Sequence, residues 1–387
     1  MSSSRPPKKH WLEAWHVSPS ANQNYDFIDG LRGIAILMVI ACHAIYAKEQ
    51  PGFSRQFGLN VVGELGKGVL LFFVLSGFLI SLPFWQRKVK GGESIPAGYT
   101  WRRFWKIYPP LALSVVLLTP FYIWWKGQPG LFLPAALQWL TGAAFLHPVS
   151  GEFNPVMWSL VVEIHFYAIL PLLFWSCRRF AARTCLWLIP SVFLVVPLAL
   201  RAMTGAAPTY APVVGDPWCT GLVFFSLGVL AGGFEGLKIW NHRWGKYGHP
   251  AWGLMMVGLV AMAWVRTTGG PAVNAYGVFE ALFVLGCGGL LCYAASDVQG
   301  KRRWLCSPWL RWCGIVSYEW YLFHQPMLLW SRHFFGPAQG GYLKYAVILG
   351  VPVLASLLVA AVVYRCFSLP ILRFGRQRRS ARKQDAA

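Results

Sequence analysis

Few residues in this chain could do chemistry, and three of them stand where ionisable groups are costly. His43 in "DGLRGIAILMVIACHA", Glu163 in "WSLVVEIHFYAILPLL" and His324 in "SYEWYLFHQPML" each interrupt a long apolar run. A carboxylate and two imidazoles are groups that general acid–base chemistry uses, and an ionisable side chain inside an apolar span is a functional candidate by default. Glu64, Lys67, His165, Glu280 and Glu319 are the other ionisable positions in such runs. A lone histidine can also serve only to hydrogen-bond a neighbouring helix, and a lone glutamate can be a structural ion-pair partner.

A second set is cationic. Arg32 precedes His43 by eleven residues, which on a helix comes within about 20° of three full turns, so the two share a face about 16 Å apart along the axis. An extended ligand with phosphates at one end and a reactive group at the other fits that spacing. The stretch "YTWRRFWKIYPP" adds Arg102, Arg103 and Lys106. Phosphate binding would use these side chains, and so would anchoring of a membrane segment on its positive side. Metal chemistry has no framework here: nine cysteines are scattered without a CxxC pair. Cys42 and His43, as helical neighbours, point about 100° apart.

The elements that carry these residues follow from composition. Of 387 residues, 56% are hydrophobic and 13% charged, with 21 tryptophans and a mean hydropathy of +0.45. This is the balance of a polytopic membrane protein. Apolar runs lie near 31–47, 61–84, 108–126, 131–147, 157–176, 184–202, 217–234, 250–266, 275–295, 313–331 and 342–367. Between them stand clusters of Lys and Arg that mark cytosolic loops. The formal charge of +21 is therefore read as topology rather than as a nucleic-acid footprint. If every basic cluster is cytosolic, only 131–147 breaks the parity of crossings, which makes it a re-entrant or interfacial segment.

An all-α bundle of about ten transmembrane helices results, with both ends inside. A flexible cytosolic arm, 1–26, carries Arg5, Lys8 and Lys9 without the apolar core of a signal peptide. The membrane domain covers 27–372, and a basic cytosolic tail covers 373–387. Counting helical rise from the span ends puts His43 about 7 Å, Glu163 about 9 Å and His324 about 12 Å below the outer boundary, one layer of titratable groups. Glu280 comes out about 7 Å deep by the same count. Depth alone is thus not specific. Ser76 in "LSGFL" joins His324 as a candidate cavity-lining residue, although the motif also suits a small-residue helix contact.

Taken in order, "FIDGLRGIAILMVIACHA", "GVLLFFVLSGFLIS", "RRFWKIYPP", "WSLVVEIHFYAILPLL" and "SYEWYLFHQPML" resemble the integral-membrane acyltransferase 3 family. The resemblance runs from about Phe27 to Leu372. It implies transfer of an acyl group, commonly acetyl from acetyl-CoA, to a hydroxyl of a glycan, lipid-linked saccharide or other envelope acceptor, by a protein of the bacterial inner membrane. Arg32 and His43 match the family's arginine-ten-residues-histidine motif, and Glu163 matches the acid of its "WSL..E" motif. This implies His43 as base or transient acyl carrier, with Glu163 beside it to stabilise the imidazolium. Arg32, Arg102, Arg103 and Lys106 are then the cofactor-binding set for acyl-CoA. Three positions depart from the pattern. Lys106 stands where the family's second arginine is expected and lacks the planar fork. Leu70 or Leu71 replaces an acid, and Glu319 replaces a small polar residue. The same buried groups would also suit a proton-coupled or small-anion transporter, and an inactive assembly scaffold would need none of them.

Overall fold

The computed structural model describes residues 11–15, 26–45, 57–92, 95–145, 154–203, 217–239, 248–269, 276–295, 304–335 and 342–384. Among these every regular element is helical and no strand occurs, which is how a chain satisfies its backbone inside lipid. In order they are α1 (Asp26–Ile45), α2 (Phe57–Glu64), α3 (Gly68–Val89), α4 (Tyr99–Lys126), α5 (Pro129–Thr141), α6 (Trp158–Ser176) and α7 (Ala182–Met203). Then follow α8 (Pro217–Gly236), α9 (Gly248–Thr268), α10 (Tyr276–Ala295), α11 (Pro308–Ile315), α12 (Ser317–Phe335), α13 (Tyr342–Val363) and α14 (Leu369–Gln384).

Eight stretches are long and apolar enough to cross a bilayer: Asp26–Ala44, Phe57–Val89, Tyr99–Lys126, Pro155–Ser176, Ala182–Ala199, His249–Thr268, Tyr276–Ala295 and Val347–Gln377. Two of the ten expected crossings stand outside that set for different reasons. Helix α8 is 20 residues long, but its side chains are described only from Gly221 on, and the stretch Gly221–Gly236 is an apolar helix. In α12 the polar side chains of Ser317, Glu319, His324, Gln325, Arg332 and His333 lower the hydropathy, and the helix is instead buried inside the bundle. The chain is an all-α polytopic membrane protein. Helix α5, with 13 residues, reaches about 20 Å at helical rise and falls short of the ~30 Å hydrocarbon core. It lies against α4, and the end of the segment expected to be re-entrant, 146–147, lies outside the described residues.

Glycines decide how α1 is held. A Cβ on Gly30 would stand 1.8 Å from the Leu305 carbonyl oxygen, one on Gly33 2.1 Å from that of Leu310, and one on Gly314 1.8 Å from that of Asp29. The two glycines on either side of Arg32 thus let α11 and the turn before it lie directly on the α1 backbone. Gly77 and Gly228 do the same for α3 and α8, with a Cβ on Gly228 only 2.1 Å from the Val74 carbonyl oxygen. Such small-residue contacts replace the hydrophobic driving force that lipid does not provide.

The basic segments gather on one end of the bundle, here the basic face. Lys88 donates to the carbonyls of Cys177 and Arg178 at 2.9 and 2.8 Å, and the Trp101 indole donates to Gly375 at 3.1 Å. Part of the N-terminal arm is docked there too. Trp11–Trp15 form a 3-10 turn whose rings pack on Trp309, Trp312 and Tyr364. Tyr364 and Arg365 donate to its carbonyls at 2.8 and 3.0 Å. Segment Trp11–Trp15 and the stretch around Tyr364 and Arg373 therefore meet on the same side, which requires an even number of crossings between them. The rest of the expected arm, 1–10 and 16–25, lies outside the described residues, as do tail residues 385–387.

Candidate active site

A cavity opens between α1, α3, α4, α6 and α12. Its polar lining includes Arg32, Ser76, Arg103, Lys106, Glu163 and Tyr167, with Ser159, Ser317, Tyr318 and Tyr321 beside them, and α3 supplies an apolar wall between Val69 and Ile80. Arg32, held over the crossing with α11, donates through Nη2 to Ser317 Oγ at 3.0 Å. The Arg103 guanidinium lies 5.5 Å from the Tyr167 ring centre and 6.0 Å from that of Tyr99, within cation–π range. Glu163 accepts from Ser76 Oγ at 3.0 Å and from the Tyr167 hydroxyl one turn below it. Among the described residues none of these three cations makes an ion pair with a carboxylate. Of the expected cationic set, Arg102 is not in the cavity: its guanidinium turns back to the Ala97 carbonyl at 2.9 Å, because it is the helical neighbour of Arg103 and points about 100° away.

His43 and His324 meet elsewhere. His43 Nδ1 lies 2.8 Å from His324 Nε2, with the ring planes 9° apart. His324 Nδ1 lies 2.8 Å from the Tyr321 carbonyl oxygen and 3.1 Å from that of Trp320. Arg332, further along α12, donates to the carbonyls of His43 and Ala44 at 2.7 and 3.0 Å, capping orphan groups at the end of α1. Neither histidine lines the cavity. Tyr321 joins the two regions: it lines the cavity, and its carbonyl meets His324.

Glu163 is therefore not beside His43, contrary to the single layer expected from helical rise. The count assumed that α6 starts at the membrane boundary, whereas it starts inside the bundle. Pro326 has no N–H, so the carbonyl four residues before it, on Leu322, lacks its helical partner. Asn154, 3% exposed, donates to that carbonyl at 3.0 Å and caps the short turn Pro155–Met157 that opens α6. Residue 154 is thus already level with Leu322, and Glu163, nine residues on, is carried about 13 Å further toward the basic face. Its neighbours there are the residues that Arg32 faces. Sequence reasoning missed Tyr167, Ser317 and Tyr321, although Tyr167 follows Glu163 at the i,i+4 spacing that brings helical side chains together.

Other buried charges form a separate cluster near the opposite end. Lys67 pairs with Glu280, and Arg266 Nε lies 2.5 Å from Glu64 Oε1. Tyr276 donates to Glu64 at 2.9 Å, and Asn60 donates to Thr267 at 3.0 Å. Among the described residues no group of three His, Cys, Asp or Glu side chains is gathered as a metal site would need.

Fold and site together define a polytopic membrane protein with buried acid–base groups beside a cationic cavity. The chain belongs to the acyltransferase 3 family, whose model, described as an acyltransferase domain, matches residues 25–365. It is 28% identical over 400 residues to Acyltransferase MdmB of Streptomyces mycarofaciens, covering 93% of this chain and 95% of the other. It is 24% identical over 354 residues to Putative membrane-bound transacylase BcsY of Komagataeibacter xylinus, covering 87% and 81%. A shorter match, 30% over 167 residues, covers 37% of this chain and 23% of Peptidoglycan O-acetyltransferase OatA of Listeria monocytogenes. No solved structure matches the chain.

Proposed function

We propose that this acyltransferase takes an acyl group, acetyl in the first instance, from cytosolic acyl-CoA and delivers it to a hydroxyl of a glycan or lipid-linked saccharide at the outer side of the bacterial inner membrane. What carries the reading is the excess of cations facing one cavity: Arg32, Arg103 and Lys106 against Glu163. Such a set suits the phosphates of CoA, since charge-assisted hydrogen bonds to phosphate are among the strong ones. The basic face is assigned to the cytosol by its Lys and Arg clusters, so both ends of the chain are cytosolic. The thioester would be carried by the pantetheine arm past Tyr321 toward His43, about 16 Å along α1 from Arg32.

His43 serves as general base on the acceptor hydroxyl, or carries the acyl group briefly itself. Glu163 serves the same reaction from the cavity, where it holds the hydroxyls of Ser76 and Tyr167 along the donor's path. The Listeria relative, a peptidoglycan O-acetyltransferase, supports a glycan hydroxyl as acceptor. Mass spectrometry of surface and secreted glycans from cells with the wild-type chain, with His43→Ala and without the protein tests this. Acylation should be present in the first and nearly absent in the other two, because a positioned base contributes ~10²–10⁴-fold. Equal acylation with a correctly inserted His43→Ala would refute the role of His43, and equal acylation without the protein would refute the function.

A further inference from the structure

We propose that His324 is the positioning residue of His43: it fixes the tautomer so that His43 Nε2 is the nitrogen that takes the acceptor proton. The inference rests on the reading of His43 as base and changes which residue supports it. Backbone carbonyl oxygens only accept hydrogen bonds. His324 Nδ1 faces two of them, on Tyr321 at 2.8 Å and Trp320 at 3.1 Å, so Nδ1 carries its proton. In the neutral ring Nε2 is then a bare acceptor. His43 Nδ1 lies 2.8 Å from it, so His43 donates from Nδ1. By elimination, the free lone pair of His43 is on Nε2. The ring planes are 9° from parallel with centroids 5.1 Å apart and the two nitrogens 2.8 Å apart, which suits an N–H···N bond between ring edges rather than face-to-face stacking.

Both rings are held from α12. His324 is fully buried at 0% exposure, and Arg332 grips the carbonyls of His43 and Ala44 one turn or more further out. A second imidazole in the place where many enzymes use a carboxylate has a physical reason here. The resting pair carries no charge, and a buried uncompensated charge in a membrane bundle is costly.

The step balances as follows. The acceptor O–H bond breaks and its proton goes to His43 Nε2, while the oxygen forms a bond to the thioester carbonyl carbon. The C–S bond then breaks, and the departing thiolate takes the proton back from Nε2. Throughout, the His43 Nδ1–H donates to His324 Nε2 and stabilises the transient imidazolium, the part that sequence reasoning gave to Glu163. His324 touches no substrate. It acts through His43, as the orienting member of a catalytic triad acts through its histidine.

The test uses the full chain in lipid nanodiscs. Nitrogen-15 magnetic resonance on histidine-labelled wild-type protein, with His43→Ala and His324→Phe to assign the signals, reads the tautomers without any substrate. Both rings should be protonated at Nδ1 and bare at Nε2, and the His43 signal should lose that preference in His324→Phe. A wild-type His43 protonated at Nε2 would overturn the proposal, even if the Phe variant failed to insert. Thiol release from acetyl-CoA, with the acceptor found by glycan mass spectrometry, gives the second readout. His324→Phe should lower kcat by ~10²–10⁴-fold with KM for acetyl-CoA unchanged. His324→Gln, whose amide oxygen can accept from His43, should stay within about tenfold of wild type. A folded His324→Phe with wild-type kcat overturns the pairing, whereas an active His43→Ala removes the base itself, so the two failures are distinguishable.

Discussion

Lys67 with Glu280 and Glu64 with Arg266 bring two positive and two negative side chains together near one end of the bundle. Arg32, Arg103 and Lys106, nearer the basic face, look into a cavity whose only lining carboxylate among the described residues is Glu163. The first cluster is closed. Its charges find each other, and Tyr276 occupies a further acceptor position on Glu64. The second is open: Arg32 leans on a hydroxyl and Arg103 on an aromatic face, both beside the cavity. Burial of charge is therefore not by itself a sign of function in this protein. The imbalance of charge around a cavity is the better guide, because an anion that enters offsets a cost the fold has left uncompensated.

The largest effect expected from breaking this contrast is in stability. Glu280→Leu strands the Lys67 ammonium, 5% exposed, and should cost ~3–5 kcal/mol, whereas Lys67→Leu with Glu280→Leu should recover most of that loss. Thermal unfolding in detergent, followed by tryptophan fluorescence, checks both, and a single variant as stable as wild type would make the pair incidental. The cavity should respond in the opposite way. Arg32→Ala and Lys106→Ala should each weaken acyl-CoA binding by ~1.5–3 kcal/mol, the value of a hydrogen bond to a charged group, while leaving the unfolding temperature close to wild type. Calorimetric titration decides, and unchanged affinity in both would mean that these residues only anchor the bundle. The smallest effect sharpens the comparison. Lys106→Arg restores the family's fork and should tighten acyl-CoA on the order of threefold, and weaker binding would show that the cavity is shaped for lysine.

Much of the fold was legible in the sequence because lipid imposes helices and because Lys and Arg mark one side. Positions 30, 32 and 33 show how far that legibility reaches: the eleven-residue spacing from Arg32 to His43 could be read from the sequence, but the contact of the glycines with Leu305 and α11 is visible only in three dimensions. Depth counting placed His43 and His324 in one layer, and the two rings do meet, but it placed Glu163 there too because it counted from an assumed span end, whereas Asn154 starts α6 inside the bundle. His165 was suspect for the same reason as Glu163, yet its ring lies 2.7 Å from the Phe145 carbonyl and ties the turn after α5 to α6. Composition announces that a polar group needs a partner inside the membrane, but it does not say whether that partner is a carbonyl, a second histidine or a ligand.

The low hydropathy of α12 has a consequence for biogenesis. With Ser317, Glu319, His324 and Arg332 along its length, this segment makes a poor client for insertion into lipid by itself. It needs helices already in place to receive those groups: α1, made first, offers Arg32 to Ser317 and His43 to His324. The helix that completes the site can thus settle only after α1 and the helices between the two have been synthesised. Cells should accumulate no partly built chain that already holds the paired histidines, and quality control that removes chains with an undocked α12 would remove only inactive ones.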